Sequence, residues 1–336
     1  MKKRILLTGI AGFVGSHVLS HLLKNTDHEI VGIASWTHKG LPSRILEDEN
    51  YQNNKERVTV ITHDLIAPFT EDVKKKIGHI DIILNIASDS HVDRSITDPV
   101  PFVKNNVALV LTMLEFAKEV KPELFLQFST DEVYGQAPIG VNHKEWSPIV
   151  PSNPYSASKA AQEAIAISYW RTYGVPVIIT NTMNVFGERQ DKEKFVQLCI
   201  ERALSGEKLS IHSYPDGKTA GSRFYIHARN VADAVLYITE NIKPKMYPDS
   251  ELPERFNVVG EKEVDNLTMA LTIADFVGKP LNYELINFHS SRPGHDCRYA
   301  LDGKKLEEAG WKPKVSFEES LKRTVDFALK ELSTQG

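Results

Sequence analysis

The chain has 336 residues, of which 41% are hydrophobic and 25% charged, and its formal net charge at pH 7 is −4. This length allows one large α/β domain and a smaller one, and the composition is ordinary for a globular protein. The negative charge gives no general attraction for nucleic acid or an anionic membrane surface. The apolar run at 5–7 is too short for a signal peptide, and no run approaches membrane-spanning length. Cys199 and Cys297 form no metal or redox motif, so we expect a reduced, cytoplasmic protein without a metal site.

The first pattern along the chain is a strand, a glycine turn and a helix. The apolar run from Arg4 to Leu7 leads into Thr8-Gly9-Ile10-Ala11-Gly12-Phe13-Val14-Gly15-Ser16, and spaced apolar residues then indicate a helix. Glycines let backbone N–H groups approach a pyrophosphate at a helix N-terminus. The context therefore predicts a bound dinucleotide, with contacts from Gly9, Gly12, Phe13, Val14 and Gly15.

The second strand, Glu29 to Ala34, ends without the acidic residue that normally binds the adenosine ribose of NAD. Ser35 follows, and His38, Lys39 and Arg44 could instead accept the 2′-phosphate of NADP. The same cations could equally be solvated loop charges. The sequence therefore leaves NAD and NADP open.

Strands and helices alternate up to about residue 185. Further strands are predicted at 58–61, 80–86, 124–128 and 175–180, with long helices at 99–120 and 156–173. This alternation predicts an α/β fold with a doubly wound parallel sheet, the Rossmann arrangement. Both helices are apolar around most of their circumference, which favours the sheet on one side and a second subunit on the other. A homodimer is expected.

The second half of the chain has a mixed pattern. Helices are predicted at 195–205, 230–240 and 267–277, strands at 223–227 and 256–260, and a closing helix ends near 329. We expect a dinucleotide-binding domain at 1–185 plus about 220–242. Residues 186–219 and 243–336 would form a smaller α+β substrate-binding domain.

Candidate catalytic side chains lie between residues 129 and 159. Thr130, Asp131 and Glu132 follow an apolar strand, at the edge where open α/β sheets bind ligands. Both acids can face one substrate only if the strand has ended there. An N-cap with acidic first-turn residues is the structural alternative. Tyr155 and Lys159 share a helical face, and the lysine charge would lower the pKa of the phenol, which could then act as a general base.

These motifs resemble the extended short-chain dehydrogenase/reductase superfamily and, within it, the nucleotide-sugar 4,6-dehydratases. The resemblance covers nearly the whole chain, through the segments Thr8 to Gly15, Ser90 to Ser95, Thr130 to Gly135, Asn153 to Lys159 and Arg292 to Asp296. The Asp131-Glu132 pair is the specific signal, because related epimerases and decarboxylases usually lack it.

The resemblance implies a reaction in three steps. Tyr155, supported by Lys159, would take the proton of the sugar 4-hydroxyl while the C4 hydride passes to the nicotinamide, and Thr130 would bind the 4-oxygen. Glu132 would then remove the acidified C5 proton while Asp131 protonates the departing 6-hydroxyl. The hydride would return to C6, giving a 4-keto-6-deoxy sugar nucleotide and leaving a tightly bound, recycled cofactor.

The resemblance also implies binding residues. Besides the glycine turn, Tyr155 and Lys159, the expected cofactor contacts are Ser35, Asp64, Leu65, Ala87 and Asn106. The expected sugar-nucleotide contacts are Ser90, Asn184, Lys194, Arg223, Asn257, Arg292 and His295. Arginine suits the diphosphate because its planar fork binds phosphate oxygens in pairs.

Several alternatives stay open at this level. The missing acid after the second strand, Asp89 in place of the more usual Glu, and the segment after Arg223 leave the nucleotide base and the hexose undetermined. A 4-epimerase or a 5,6-dehydratase of the same superfamily would use similar machinery. A non-catalytic NAD(P)-sensing regulator on the same fold is the alternative from another class.

Overall fold

A computed structural model describes residues 2–37, 39–287 and 296–334. The strands are β1 (Arg4–Thr8), β2 (Glu29–Ala34), β3 (Val58–Thr62), β4 (Ile82–Asn85), β5 (Leu124–Thr130), β6 (Val177–Thr182), β7 (Val185–Phe186), β8 (Leu209–Ser213), β9 (Ser222–Arg223), β10 (Ile226–His227), β11 (Glu254–Val258), β12 (Val264–Asp265) and β13 (Tyr283–Asn287). The α-helices are α1 (Phe13–Asn25), α2 (Ser43–Leu46), α3 (Glu49–Gln52), α4 (Glu71–Ile77), α5 (Val92–Thr97), α6 (Pro99–Val120), α7 (Pro154–Tyr173), α8 (Phe195–Ser205), α9 (Ala228–Asn241), α10 (Asn266–Val277), α11 (Lys304–Glu308) and α12 (Phe317–Thr334). Short 3₁₀ helices occupy Lys55–Arg57 and Asp131–Tyr134.

The main sheet has seven parallel strands in the order β11-β6-β5-β4-β1-β2-β3. Leu6 of β1 pairs with Val31 on one side and Ile83 on the other. The strand order reverses between β1 and β4, and open sheets of this kind bind ligands outside the carboxyl ends of the strands at that point. The predicted doubly wound fold is confirmed.

Helices cover both faces of this sheet. Val18 and Val235, from α1 and α9, pack in the core on one face, and Val110 and Trp170, from α6 and α7, pack on the other. Burial on both sides explains why the central strands are continuous apolar runs.

Helix α6 is long and apolar enough to cross a membrane by length and composition alone. The expectation that no apolar run approaches membrane-spanning length is therefore wrong for this helix. In the structure, however, Phe102, Leu109, Val110 and Met113 are buried, and the helix packs beside α7. Its apolar character is therefore used in the protein interior.

A smaller unit lies beside the sheet. Parallel strands β8 and β13 and helices α8, α10 and α12 enclose a core that includes Ile211, Met269 and Leu321.

Two details differ from the sequence analysis. Strand β11 lies in the range predicted as substrate domain, yet it extends the main sheet by pairing with β6. The predicted strand at 223–227 is divided into β9 and β10, which pair with β12 and β7 respectively. The domain division as a whole stays a prediction.

Candidate active site

A cleft of about 780 Å³ lies at the carboxyl edge of the main sheet. The predicted cofactor residues that line it are Gly9, Gly12, Phe13, Val14, Gly15, Ser35, Asp64, Leu65, Ala87, Tyr155 and Lys159. Ser90 and Lys194, predicted to bind the sugar nucleotide, line the same cleft. The fold thus brings the glycine turn and the Tyr/Lys pair to one continuous surface.

The glycine turn is shaped for close approach by a ligand. Gly9 has a φ of 68°, which is in the left-handed region that favours glycine. A Cβ on Gly15 would lie 2.0 Å from the carbonyl oxygen of Gly9. Gly12 is the N-cap of α1 and makes no side-chain hydrogen bond to the first-turn N–H groups. This cradle fits a pyrophosphate at a helix N-terminus.

The cations after β2 are engaged by protein groups. Lys39 Nζ lies 2.6 Å from Glu193 Oε1 and 3.6 Å from Asp191 Oδ1. Arg44 is buried, and its guanidinium donates to Asp191 Oδ1 at 3.1 Å and to the Arg189 carbonyl at 3.1 Å. His38 lies outside the described residues. The interpretation of Arg44 as a solvated loop charge is therefore wrong, because it is buried. Lys39 is exposed to solvent, as that interpretation expected, but it is paired with two carboxylates.

Tyr155 is fixed at the start of α7. The Asn153 side chain accepts the Ser156 N–H at 2.9 Å and completes a capping box, and Pro154 occupies the first turn. The Tyr155 N–H donates to Ser95 Oγ at 3.1 Å. The backbone of Tyr155 is thus anchored from both α7 and α5.

The acid pair follows the end of β5. The strand stops at Thr130, and Asp131–Tyr134 forms a 3₁₀ helix, so the two carboxylates are released from the strict alternation of a strand. Thr130 Oγ1 donates to Asp131 Oδ1 at 2.8 Å and accepts the Glu132 N–H at 3.3 Å. Thr130 is therefore an N-cap with two acidic residues in the first turn, as the structural alternative predicted, and Thr130, Asp131 and Glu132 are not among the residues that line the cleft. Asp131 Oδ2 is buried without a hydrogen-bond partner within the described part of the chain.

Burial raises the pKa values of both carboxyls. The pKa of Asp131 rises to about 7, mainly through burial and then through the charge of Glu132. Burial also raises the pKa of Glu132, against a hydrogen bond from Asn153. Two neighbouring carboxyls with raised pKa values can divide acid and base roles near neutral pH.

The expected lowering of the Tyr155 pKa is not what the structure gives. Burial and the charge of Glu132 raise the pKa of the phenol, while a hydrogen bond with Thr130 opposes the rise. Lys159 Nζ donates to the Phe128 carbonyl at 2.7 Å and to Gln162 Oε1 at 2.6 Å. Burial also lowers the pKa of Lys159 to about 7. In the protein alone, desolvation outweighs the support that the lysine charge was expected to give.

Two groups around Glu132 were missed by the sequence analysis. Asn153 Nδ2 donates to Glu132 Oε2 at 3.3 Å, and the Tyr299 phenol lies 3.5 Å from the same oxygen. The Arg223 guanidinium stacks over the Tyr299 ring at 4.6 Å. Tyr299 follows the Arg292 to Asp296 motif, but only tertiary structure brings it to a residue 167 positions earlier.

Arg223, Asn257 and Asn184, also predicted to bind the sugar nucleotide, do not line the cleft. Arg223 is buried and donates to the carbonyls of Cys297 at 2.7 Å and Asp296 at 2.8 Å. Asn257 Nδ2 donates to the carbonyls of His143 and Asp302, both at 3.0 Å. Their observed contacts therefore hold protein segments together.

Asn184 and Lys194 differ from these buried residues. Asn184 is partly exposed, and its Oδ1 has no hydrogen-bond partner within 2–37, 39–287 and 296–334. Lys194 Nζ donates to the Ser90 carbonyl at 3.1 Å and so bridges the cleft wall. Arg292 and His295 lie outside the described residues.

Asn106, predicted as a cofactor contact, lies behind the cleft wall. Its side chain accepts the Asp89 N–H at 2.8 Å and donates to the Asp89 carbonyl at 3.0 Å. It also donates to Ser158 Oγ at 2.8 Å. Asn106 is fully buried, and the neighbouring Asn105 lines the cleft. Asn106 therefore supports the loop after β4.

Comparison with known proteins places this architecture in a family. The model of the family described as GDP-mannose 4,6 dehydratase matches residues 6–324. The chain belongs to this family. The expectation of a nucleotide-sugar dehydratase in the extended short-chain dehydrogenase/reductase superfamily is thereby confirmed at family level.

Individual relatives match over nearly their full length. A low-salt glycan biosynthesis protein, Agl12, from Haloferax volcanii is 36% identical over 97% of this chain and 98% of its own. A dTDP-glucose 4,6-dehydratase from Salmonella typhimurium is 35% identical over 97% of this chain and 92% of its own. The structure of the dTDP-glucose 4,6-dehydratase DesIV from Streptomyces venezuelae, with NAD bound, superposes with a TM-score of 0.86. It has 29% identity and covers 98% of both chains.

Proposed function

We propose that the protein is an NAD-dependent dTDP-glucose 4,6-dehydratase that converts its substrate to a 4-keto-6-deoxy sugar nucleotide. The observation that carries the proposal is the pair Asp131 and Glu132, two buried carboxyls with raised pKa values whose charges reach the Tyr155 phenol. A 4-epimerase needs the phenol and the hydride acceptor but no acid and base for water elimination. The names of the relatives support dTDP-glucose as the substrate.

In the oxidation step, Tyr155 as a tyrosinate would take the proton of the sugar 4-hydroxyl, with Thr130 as its hydrogen-bond partner. Burial raises the pKa of this phenol in the protein alone, so the positive charges of a bound nicotinamide and of Lys159 would have to offset that rise. Bound nicotinamide would supply the acceptor for the C4 hydride and return it to C6. An ammonium at Lys159 would stabilise the tyrosinate. Since the pKa of Lys159 is about 7, this support declines as the pH rises above 7.

In the elimination step, Glu132 would remove the C5 proton and Asp131 would protonate the leaving 6-hydroxyl. Asp131 with a pKa of about 7 still carries a proton near neutral pH, as a general acid must. Asn153 and Tyr299 both approach Glu132 Oε2 and would leave Oε1 to face the substrate. The unpartnered Asp131 Oδ2 is the natural contact for the 6-hydroxyl.

Ion pairing beside the ribose end of the cleft supports NAD over NADP. Lys39 would be the ligand for a 2′-phosphate, but Glu193 and Asp191 neutralise it. Both carboxylates line the same cleft and would repel a phosphate. These two acids take the electrostatic role of the acidic residue that is missing after β2.

A homodimer remains part of the proposal. Helix α6 leaves Val100 and Leu111 exposed, with 60% and 38% of their surfaces accessible, and Val103 and Val107 lie between them at helical spacing. Such a stripe on a helix that already packs against the core favours a second subunit.

The deciding experiment offers the purified protein dTDP-, UDP-, GDP- and CDP-hexoses and follows product mass. We expect an 18-dalton loss, fastest with dTDP-glucose. Turnover without loss of water would support an epimerase, and an alkene in place of a 4-keto group would support a 5,6-dehydratase. Binding of NAD(P) without turnover of any sugar would favour a regulator.

A further inference from the structure

A chain of buried side-chain amides connects the glycine turn with the catalytic lysine. Thr8 Oγ1 donates to Asn85 Oδ1 at 3.0 Å, and Asn85 Nδ2 donates to Gln127 Oε1 at 2.9 Å. Gln127 Nε2 donates to Gln162 Oε1 at 3.1 Å, and Lys159 Nζ donates to that oxygen at 2.6 Å. Each of these residues is at most 3% exposed. The chain crosses β1, β4 and β5 and ends on α7.

The orientation of every amide follows from chemistry at both ends. An ammonium only donates, so Lys159 requires the oxygen of Gln162 to face it, and the other amides follow in turn. At the far end, Thr8 Oγ1 accepts the N–H groups of Ile86 at 2.9 Å and Ala87 at 3.0 Å. Its proton is then free to bond Asn85. Thr8 at one end and Lys159 at the other therefore require the same orientation of every amide between them.

Gln162 is the branch point of this network. Its Nε2 donates to the Asn106 carbonyl at 2.7 Å, so one side chain joins α7, β5 and α6. Asn106 in turn donates to Ser158 Oγ at 2.8 Å, and Ser158 donates to the Tyr155 carbonyl at 2.7 Å. A neutral amide supplies both an oxygen that accepts from Lys159 and Gln127 and an N–H group that donates to the Asn106 carbonyl.

We infer that Gln162 is a positioning residue that favours the charged form of Lys159 and fixes the position of its ammonium relative to the glycine turn. This inference deepens the proposed function and rests on it. The charged group whose field reaches Lys159 is Glu163 on the same helix, and Arg255 of β11 pairs with Glu163 at 2.9 Å. On β5 and α6 the groups of the network are neutral: the Phe128 carbonyl, Gln127 and Asn106. Tyr155 lies one turn away on α7.

Two substitutions at one position separate the acceptor role from packing. Gln162→Met keeps the size but removes the acceptor, and Gln162→Glu keeps an acceptor and adds a negative charge. Both lose the donor to Asn106, so the difference between them reports the acceptor and the charge that position 162 presents to Lys159. Loss of the acceptor disfavours the buried ammonium, whereas a carboxylate favours it.

The first readout is the rate of cofactor reduction in a single turnover of the holoenzyme with dTDP-glucose, measured against pH. This step precedes elimination and does not include Asp131 as acid. We expect the pH at which the reduction rate falls on the alkaline side of the profile to be about one unit lower in Gln162→Met and higher in Gln162→Glu. The reason is that hydrogen bonds to charged groups are strong. Gln197→Met, a half-buried glutamine of α8 that donates to the Gly187 carbonyl, is the matched control and should leave that pH unchanged.

The second readout does not need turnover. The ¹³Cε signal of Lys159 in lysine-labelled protein, assigned with Lys159→Met, is titrated in wild type and both variants. Opposite shifts of the Lys159 pKa support the inference, and coincident titrations or shifts in one direction overturn it. If Gln162→Met does not fold, Gln162→Glu decides alone, since an unchanged or lowered Lys159 pKa would contradict the role. A wild type that releases no water would refute the proposed function while leaving this titration decisive.

Discussion

Asn153 and Glu132 are joined by a 3.3 Å hydrogen bond, so the residue that caps helix α7 also holds the proposed base. The same cap sets the start of the helix that carries Tyr155 two residues later. The phenol for oxidation and the carboxylate for elimination are thus fixed to one helix terminus. The distance between the Tyr155 phenol and the Glu132 carboxylate should therefore not change when the smaller unit around β8 and β13 moves.

Replacing Glu132 by Gln should abolish elimination while oxidation persists. The amide keeps the size and the contact with Asn153 but cannot accept the C5 proton. We expect water loss to fall by about 10²- to 10⁴-fold, the usual contribution of a positioned base. Reduced cofactor should accumulate at 340 nm after substrate is added. Full dehydration by this variant would rule out the assigned base.

Replacing Asp131 by Asn should slow elimination and stabilise the folded protein at alkaline pH. The folded-state pKa of about 7 lies above the ordinary value of 3.8, so the native carboxyl is favoured in its protonated form. As the pH rises from about 4 to 7, the unfolded state releases this proton first, and the group's contribution to stability falls. At pH 8 we expect the variant's Tm to exceed that of wild type by about 2–5 °C.

The same comparison at pH 4 serves as the internal control for Asp131→Asn. There the folded state of wild type keeps its proton and the unfolded state keeps a substantial part of it, so the difference in Tm should shrink. A constant difference across this window, or a less stable variant at pH 8, would contradict the raised pKa of Asp131.

Replacing Tyr155 by Phe should stop the first step. Without the phenol there is no base for the 4-hydroxyl, and cofactor reduction in a single turnover should fall by about 10²- to 10⁴-fold. Tyr169→Phe is the control on the same helix, because that phenol donates to Glu115 at 2.6 Å away from the cleft. Equal losses in both variants would indicate damage to α7 rather than to chemistry.

Local sequence patterns predicted much of the fold. The Gly9 to Gly15 turn lies between a strand and a helix as expected, because the alternation of apolar and glycine residues is local information. Strands β8 and β13 were missed since each has five residues and its partner lies more than seventy positions away. The sequence of a short strand contains little information about a partner strand that is distant in the chain.

The sequence indicated where the candidate residues stand relative to the strands, but not their electrostatics, and their roles stay a prediction. Asp131 and Glu132 stand beyond the end of β5, as the apolar run before them indicated. The direction of the Tyr155 pKa was wrong because burial depends on the whole tertiary structure. Tyr299 and Gln162 were missed for a related reason: their partners are set by packing, and no motif marks them.

Glu193→Gln should weaken the discrimination against NADP. Glu193 pairs with Lys39 Nζ at 2.6 Å, and its loss would leave Lys39 with the longer 3.6 Å pair to Asp191 and remove one negative charge that repels a 2′-phosphate. We expect the affinity for NADP relative to NAD to rise roughly two- to fivefold, the range of an exposed ion pair. Calorimetric titration with each cofactor measures it. Glu201→Gln, at an exposed position of α8, is the control. If Glu193→Gln left the affinity for NADP relative to NAD unchanged, the ion pair would have no part in cofactor selection.

Leu111→Arg should convert the proposed dimer into a monomer. Leu111 is 38% exposed on the apolar stripe of α6, and two arginines placed there by symmetry would bring buried like charges together. Light scattering at micromolar concentration should give twice 37.8 kDa for wild type and the single mass for the variant. Leu332→Arg, at an exposed position of α12, should keep the wild-type mass. A wild type with the mass of one chain would contradict the proposed dimer. The apolar stripe of α6 would then not be explained by a second subunit.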